Sequence, residues 1–151
     1  MDFSQLKRGE ILAAIGGIVL VIAVFLPAYK VSDNPNAVVA GAHANASIWD
    51  ANSISRILLL MAAAAPIILT YIVLRQHELS WPRGELTAVV GLTASTLLFW
   101  SGIISRPGDP DGQIALGLGW YLAFLGALAI AIGGALRAAE SERRRKPPGV
   151  L

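Results

Sequence analysis

The sequence predicts an all-α integral membrane protein: one four-helix bundle, antiparallel and up-down-up-down, with both termini in the cytoplasm. Three observations predict it. Charged residues make up only 15% of the 151 and apolar residues 55%, with a mean hydropathy of +0.61, whereas a soluble domain is about one quarter charged. The charges are segregated, leaving four long apolar stretches with none in their central turns. The basic residues also divide unequally between the connections.

A hydrocarbon layer about 30 Å thick needs roughly 17–25 helical residues rising 1.5 Å each. Residues 11–28, closed by Pro27, form the first such span. Residues 54–74, 86–104 and 114–136 form the other three, all within one membrane domain covering 1–151. In lipid each peptide group must find its partner within the segment, so the spans are expected to be helices. The alternation that a membrane barrel requires is absent. Span one also resembles a signal peptide in having Lys7 and Arg8 before an apolar run. Glu10, and the lack of a small residue three positions before a cleavage point at 26–28, favour a retained span.

Orientation follows from Lys and Arg. Lys7, Arg8, Arg75, Arg83, Arg137, Arg143, Arg144, Arg145 and Lys146 lie on one side, and Lys30, Arg56 and Arg106 on the other. That is nine against three, together the twelve in the chain. The positive-inside rule puts the first group in the cytoplasm and the protein in the plasma membrane, multi-pass. Tyr29, Trp49, Trp81, Trp100 and Trp120 fall at span ends, as an interfacial aromatic belt would.

The outer loop 29–52 is the longest connection, and loops of that length commonly have a role. Asp50 stands just before span two, where a carboxylate suits the positive helix end, with Asn52 or Ser53 as the cap. Arg56, in the first turn of that span, is expected to snorkel outward or to form an interfacial ion pair with Asp50, Asp33 or Asp109. In the second outer loop, Asp109-Pro110-Asp111-Gly112 opens like a calcium loop. It lacks the sixth-position Gly and twelfth-position Glu and reads as a turn. The tail, 137–151, carries the basic run Arg143, Arg144, Arg145 and Lys146, stopped by Pro147-Pro148, which attracts anionic lipid or anchors the topology.

Between helices in lipid, small residues matter because they permit close approach. Gly119, Gly126 and Gly133 recur every seven residues with Ala123 among them, a stripe for helix packing or for oligomer contact. Pro66 interrupts span two, and Thr70 one turn on is placed to bond back to a carbonyl. Thr93 and Thr96 share a face of span three, a polar stripe that could border a water path.

Catalytic chemistry is not evident. With no cysteine, thiolate nucleophiles and Cys-based metal sites are excluded. His43 and His77 fall on opposite sides of the membrane, so no metal is expected. No Gly-rich phosphate loop or Ser-centred elbow appears, and no cofactor is expected. The basic residues flank apolar segments, which fits membrane topology and not nucleic acid.

Phe25-Leu26-Pro27-Ala28-Tyr29, then Ile48-Trp49-Asp50-Ala51, then the last span closing on Gly133-Gly134-Ala135-Leu136-Arg137, carry a resemblance. The chain resembles a family of functionally uncharacterised small four-span membrane proteins of high-GC Gram-positive bacteria. These typically read Leu-Pro-Trp-Tyr at the exit of span one; Ala28 stands where Trp is usual. The resemblance implies a four-span topology and carries over no site residues.

The expected function is therefore that of an interaction or structural subunit, or a self-associating scaffold, and not of an enzyme. Its partners are expected to be the bilayer, with anionic lipid at the tail, and a second copy or another membrane protein. The alternative is a homo-oligomeric channel or small-solute pore, and a third reading is a membrane enzyme.

Overall fold

The computed structural model describes residues 3–77, 80–145 and 149. A 3-10 turn at Phe3–Gln5 leads into α1 (Arg8–Phe25), β1 (Pro27–Val31), β2 (Ala46–Ser47) and the one-turn α2 (Ile48–Ala51). Then come α3 (Ser55–Leu74), α4 (Arg83–Phe99) with a π-helical continuation Trp100–Ile104, β3 (Ile114–Leu116) and α5 (Leu118–Arg145). Four helical stretches are long and apolar enough to cross a membrane: Arg8–Phe25, Ser55–Leu74, Arg83–Ile104 and Leu118–Arg144.

The all-α expectation needs one correction. A three-stranded antiparallel sheet, in the order β2-β1-β3, closes one end of the molecule. Its cause is local. Pro27 has no N–H to continue α1 and pushes Leu26 into an extended conformation, φ −83° and ψ 155°. The extended residues that follow need partners for their backbone groups. Both neighbouring connections supply them: Tyr29 pairs with Ala46 on one side and Leu116 on the other. Residues 27–28 and 114–116, expected inside spans one and four, are therefore strand. An apolar run reads the same whether it is strand or helix. At its far end α5 runs on to Arg145, well beyond 136.

Close packing rests on glycine. A methyl group on Gly16 would stand 2.6 Å from the Gly126 carbonyl oxygen. One on Gly9 would stand 2.5 Å from that of Gly133, and one on Gly119 2.5 Å from that of Leu26. Gly17 meets Ala63 and Pro66 of α3 in the same way. On another face of α5, Gly134 meets Ala88 of α4, while Gly84 and Gly91 of α4 meet Ala138 and Ala131. Thus α5 packs along both α1 and α4, and α3 leans mainly on α1. Buried positions are dominated by small residues such as Ala13, Ala23, Ala63, Ala94, Ala123 and Ala127. Large apolar side chains point outward: Ile15, Ile18, Met61, Leu92 and Leu125 are each more than half exposed. Water would penalise that distribution, and a lipid environment accepts it.

Candidate functional site

The end bearing the sheet carries a connected polar network. Tyr29 is fully buried in β1. Its Oη accepts from Asn52 Nδ2 at 3.0 Å and donates to Ser101 Oγ at 3.4 Å. Burial pushes the Tyr29 phenol above its ordinary pKa, opposed by the bonds to Ser101 and Asn52 and by the Arg106 charge. The phenol therefore stays neutral and acts as a hydrogen-bonding bolt between β1, the α2–α3 junction and the end of α4.

The π-helical turn supports the same junction. There the Leu98 carbonyl accepts from Ser101 Oγ at 3.2 Å and from Trp120 Nε1 at 3.0 Å. Gly102 lets the indole in, since a Cβ at that position would overlap the Trp120 ring. Arg106 reaches back to the Gly102 carbonyl with Nε (2.8 Å) and across to that of Ile114 with Nη1 (2.6 Å), tying α4 to β3.

The long loop is folded against this frame. Ser32 N–H donates to the Gln113 carbonyl, and Val38 and Asp109 exchange both backbone bonds at 2.8 and 3.0 Å. A tight turn joins Val39 to Ala42 through Ala40 and Gly41, at φ 52° and 79°. Asn45 Oδ1 accepts from Val31 N–H, and His43 Nδ1 lies 2.6 Å from the Ala37 carbonyl oxygen. Ala37 and Val39 are buried beneath, while Pro35, Asn36, His43 and Ala44 stay exposed at the surface. The result is a small ordered cap with an exposed polar rim.

Several residues singled out in the sequence occupy other settings. Within the chain Gly126 and Gly133 of the stripe are buried against α1, Gly119 against Leu26 and Pro27 just beyond it, and Ala123 is fully buried. These contacts are helix packing within the chain. Arg56 and Asp50 do not pair. Asp50 turns back on its own helix start, where its Oδ2 accepts from Ser47 Oγ at 2.7 Å and from Ser47 N–H at 3.3 Å. Asn52 goes to Tyr29, and α3 starts without a side-chain cap. The reason is α2, a separate turn of helix that claims Asp50 for itself. Arg56 instead donates from Nη1 to the Trp49 carbonyl at 3.2 Å and lies 4.7 Å from the centre of its ring.

Thr93 and Thr96 are exposed on the outer surface of α4, where each hydroxyl donates to its own helix, to Val89 and Leu92. Within one chain they border no interior path; a path between chains would run along this outer face. Of the aromatic belt, Trp49, Trp81 and Trp100 are exposed, but Tyr29 and Trp120 are core residues. Arg143 and Arg144 are exposed near the end of α5, Arg145 is its last residue, and Lys146 lies outside the described residues.

Two ion pairs escaped sequence reasoning: Arg137 Nε to Glu10 Oε1 at 3.2 Å, and Lys7 Nζ to Glu140 Oε2 at 3.3 Å. Each joins the start of α1 to the end of α5. The signal was there, in the single acid at the entry of span one and the first base beyond span four. Among the described residues no three His, Asp or Glu side chains gather as a metal site would require. Compared with known proteins, the chain matches no family model, no curated protein and no solved structure.

Proposed function

We propose that this protein is a non-catalytic interaction protein of the plasma membrane, which holds a partner, or a second copy of itself, through the folded cap. The observation that carries the reading is the cap's order: a loop of this length is pinned by Tyr29, Ser32, Asn45 and backbone pairs into one shape. Pre-organised surface loses little entropy when it binds. The four helices are read as an up-down-up-down bundle. The way Gly9, Gly16 and Leu26 meet Gly133, Gly126 and Gly119 in turn supports this. Nine basic residues against three support cytoplasmic termini and an outer cap. The tail's attraction to anionic lipid would hold that orientation.

The chain is free of cysteine, so single introduced cysteines report without background. A photo-crosslinker attached at Asn36→Cys or Ala44→Cys in native membranes is expected to yield one discrete adduct. The same probe at the lipid-facing Ile18→Cys or Leu125→Cys is expected to yield none. Equal crosslinking at all four positions, or no adduct from the cap, overturns the reading. Impermeant reagent reaching Arg143→Cys but not His43→Cys in intact cells would reverse the orientation.

A further inference from the structure

At the end opposite the sheet, basic side chains from separate stretches of chain converge on one open cleft. Lys7 comes from the residue before α1, Arg83 from the first turn of α4, and Arg137 and Arg144 from α5; Val73 and Gln76 line it from the end of α3. The cleft holds about 830 Å³, within the range of sites that bind small ligands.

Among the described residues, only two of its four basic side chains have an ion-pair partner. Glu140 answers Lys7 and Glu10 answers Arg137. Among the described residues no carboxylate comes within ion-pair distance of Arg83 or Arg144. Two cations are thus left to face the same space. The start of α4 lies here too: Pro82 at its N-cap provides no side-chain cap, and Glu85, exposed in the first turn, is the one acid there to answer the positive helix end.

Position selects the kind of anion. All four apolar helices end here, so the cleft sits where a bilayer passes from hydrocarbon to headgroup. Val73 and Arg83 stand at the mouth of the α3–α4 pair, which is packed far less extensively than α1 with α5 or α4 with α5. A phosphate held by Arg83 and Arg144 can therefore keep its acyl chains against the exposed apolar side of that seam. We propose that this cleft is a binding site for the phosphate headgroup of an anionic membrane lipid. The site is independent of the interaction assigned to the cap.

The test uses the full chain in nanodiscs of phosphatidylcholine containing a minor fraction of phosphatidic acid or phosphatidylglycerol, with retained lipid read by native mass spectrometry. Wild type is expected to keep the anionic lipid and to release it little to millimolar inorganic phosphate or glycerol phosphate. Arg83→Gln with Arg144→Gln is expected to lose about thirtyfold in affinity, at roughly fivefold per basic residue near an anionic surface. Arg143→Gln, which removes the same charge one residue away and outside the cleft lining, is expected to change little. Arg83→Lys with Arg144→Lys, at unchanged helix content, is expected to retain most of the binding. Equal losses from Arg143→Gln and Arg144→Gln would reduce the effect to tail charge and overturn the site. Ready displacement by soluble phosphate would overturn its assignment to lipid.

Discussion

Gly16 and Gly126 face one another backbone to backbone, each placed so that a methyl group on either would come within 2.8 Å of the other's carbonyl oxygen. In lipid such an approach is held by dispersion and weak Cα–H···O contacts, without a hydrophobic drive between helices. Gly126→Ile is therefore expected to disrupt the α1–α5 contact and cost about 3 kcal/mol or more. Thermal or detergent unfolding of the single chain reads this. Ala135→Leu, on the exposed side of the same helix, is expected to leave the midpoint in place.

Tyr29→Phe removes an oxygen that both accepts from Asn52 and donates to Ser101. The expected cost is about 1–3 kcal/mol, that of stranding a partly buried donor. It also removes a pH dependence. Burial holds the folded phenol's pKa above its unfolded value, so the stabilisation is complete below about pH 10 and is lost as pH rises beyond it. Wild type should lose stability in that alkaline window, and Tyr29→Phe should show a flatter profile there.

Arg106→Met unties α4 from β3 by deleting the bonds to Gly102 and Ile114. Amide exchange at 113–117 and at Val31 is expected to accelerate by about tenfold or more, while α1 stays protected. Uniform exchange in wild type and variant would mean that Arg106 does not hold the cap.

Glu10→Gln leaves Arg137 without its carboxylate in a half-buried setting and weakens the bond that Lys7 N–H makes to Glu10 Oε2 at 3.1 Å. A loss of about 1–3 kcal/mol is expected. Adding Arg137→Gln should recover part of it, and a double-mutant cycle measures the coupling.

Thr93→Val with Thr96→Val should do almost nothing, because both hydroxyls already bond within α4 and face outward. Stability is expected within about 0.5 kcal/mol of wild type, and vesicle leak unchanged. An altered leak would favour the homo-oligomeric pore.

Membrane character and the four long helices were legible because burial in lipid imposes a crude rule, some twenty uncharged residues in a row. The Gly119, Gly126 and Gly133 stripe was legible as a contact surface for a similar reason, since a seven-residue period keeps side chains on one helix face. Periodicity names the face and not the neighbour, however, and a neighbour within the chain looks the same as one outside it.

The residues at helix ends were legible only in part. Pro27 announced where α1 stops. Nothing in Ile114-Ala115-Leu116 says strand, because its partners sit some eighty residues earlier in β1. Asp50 and Arg56 form a plausible pair by spacing. The choice between Arg56 and the start of α2 belongs to Ser47, whose hydroxyl lies closer.

Composition and charge order, by themselves, determined that this chain carries four apolar helices able to cross a bilayer, since each property depends only on neighbours along the chain. The tertiary structure alone decided that the glycine stripe packs against α1 and Leu26-Pro27 just beyond it, that the long loop is a sheet-bound cap around Tyr29, and that Arg83 meets Arg144 at one cleft. Those outcomes depend on backbone groups distant in sequence finding one another, and a hydrogen bond or a close glycine contact is specific to the pair that makes it.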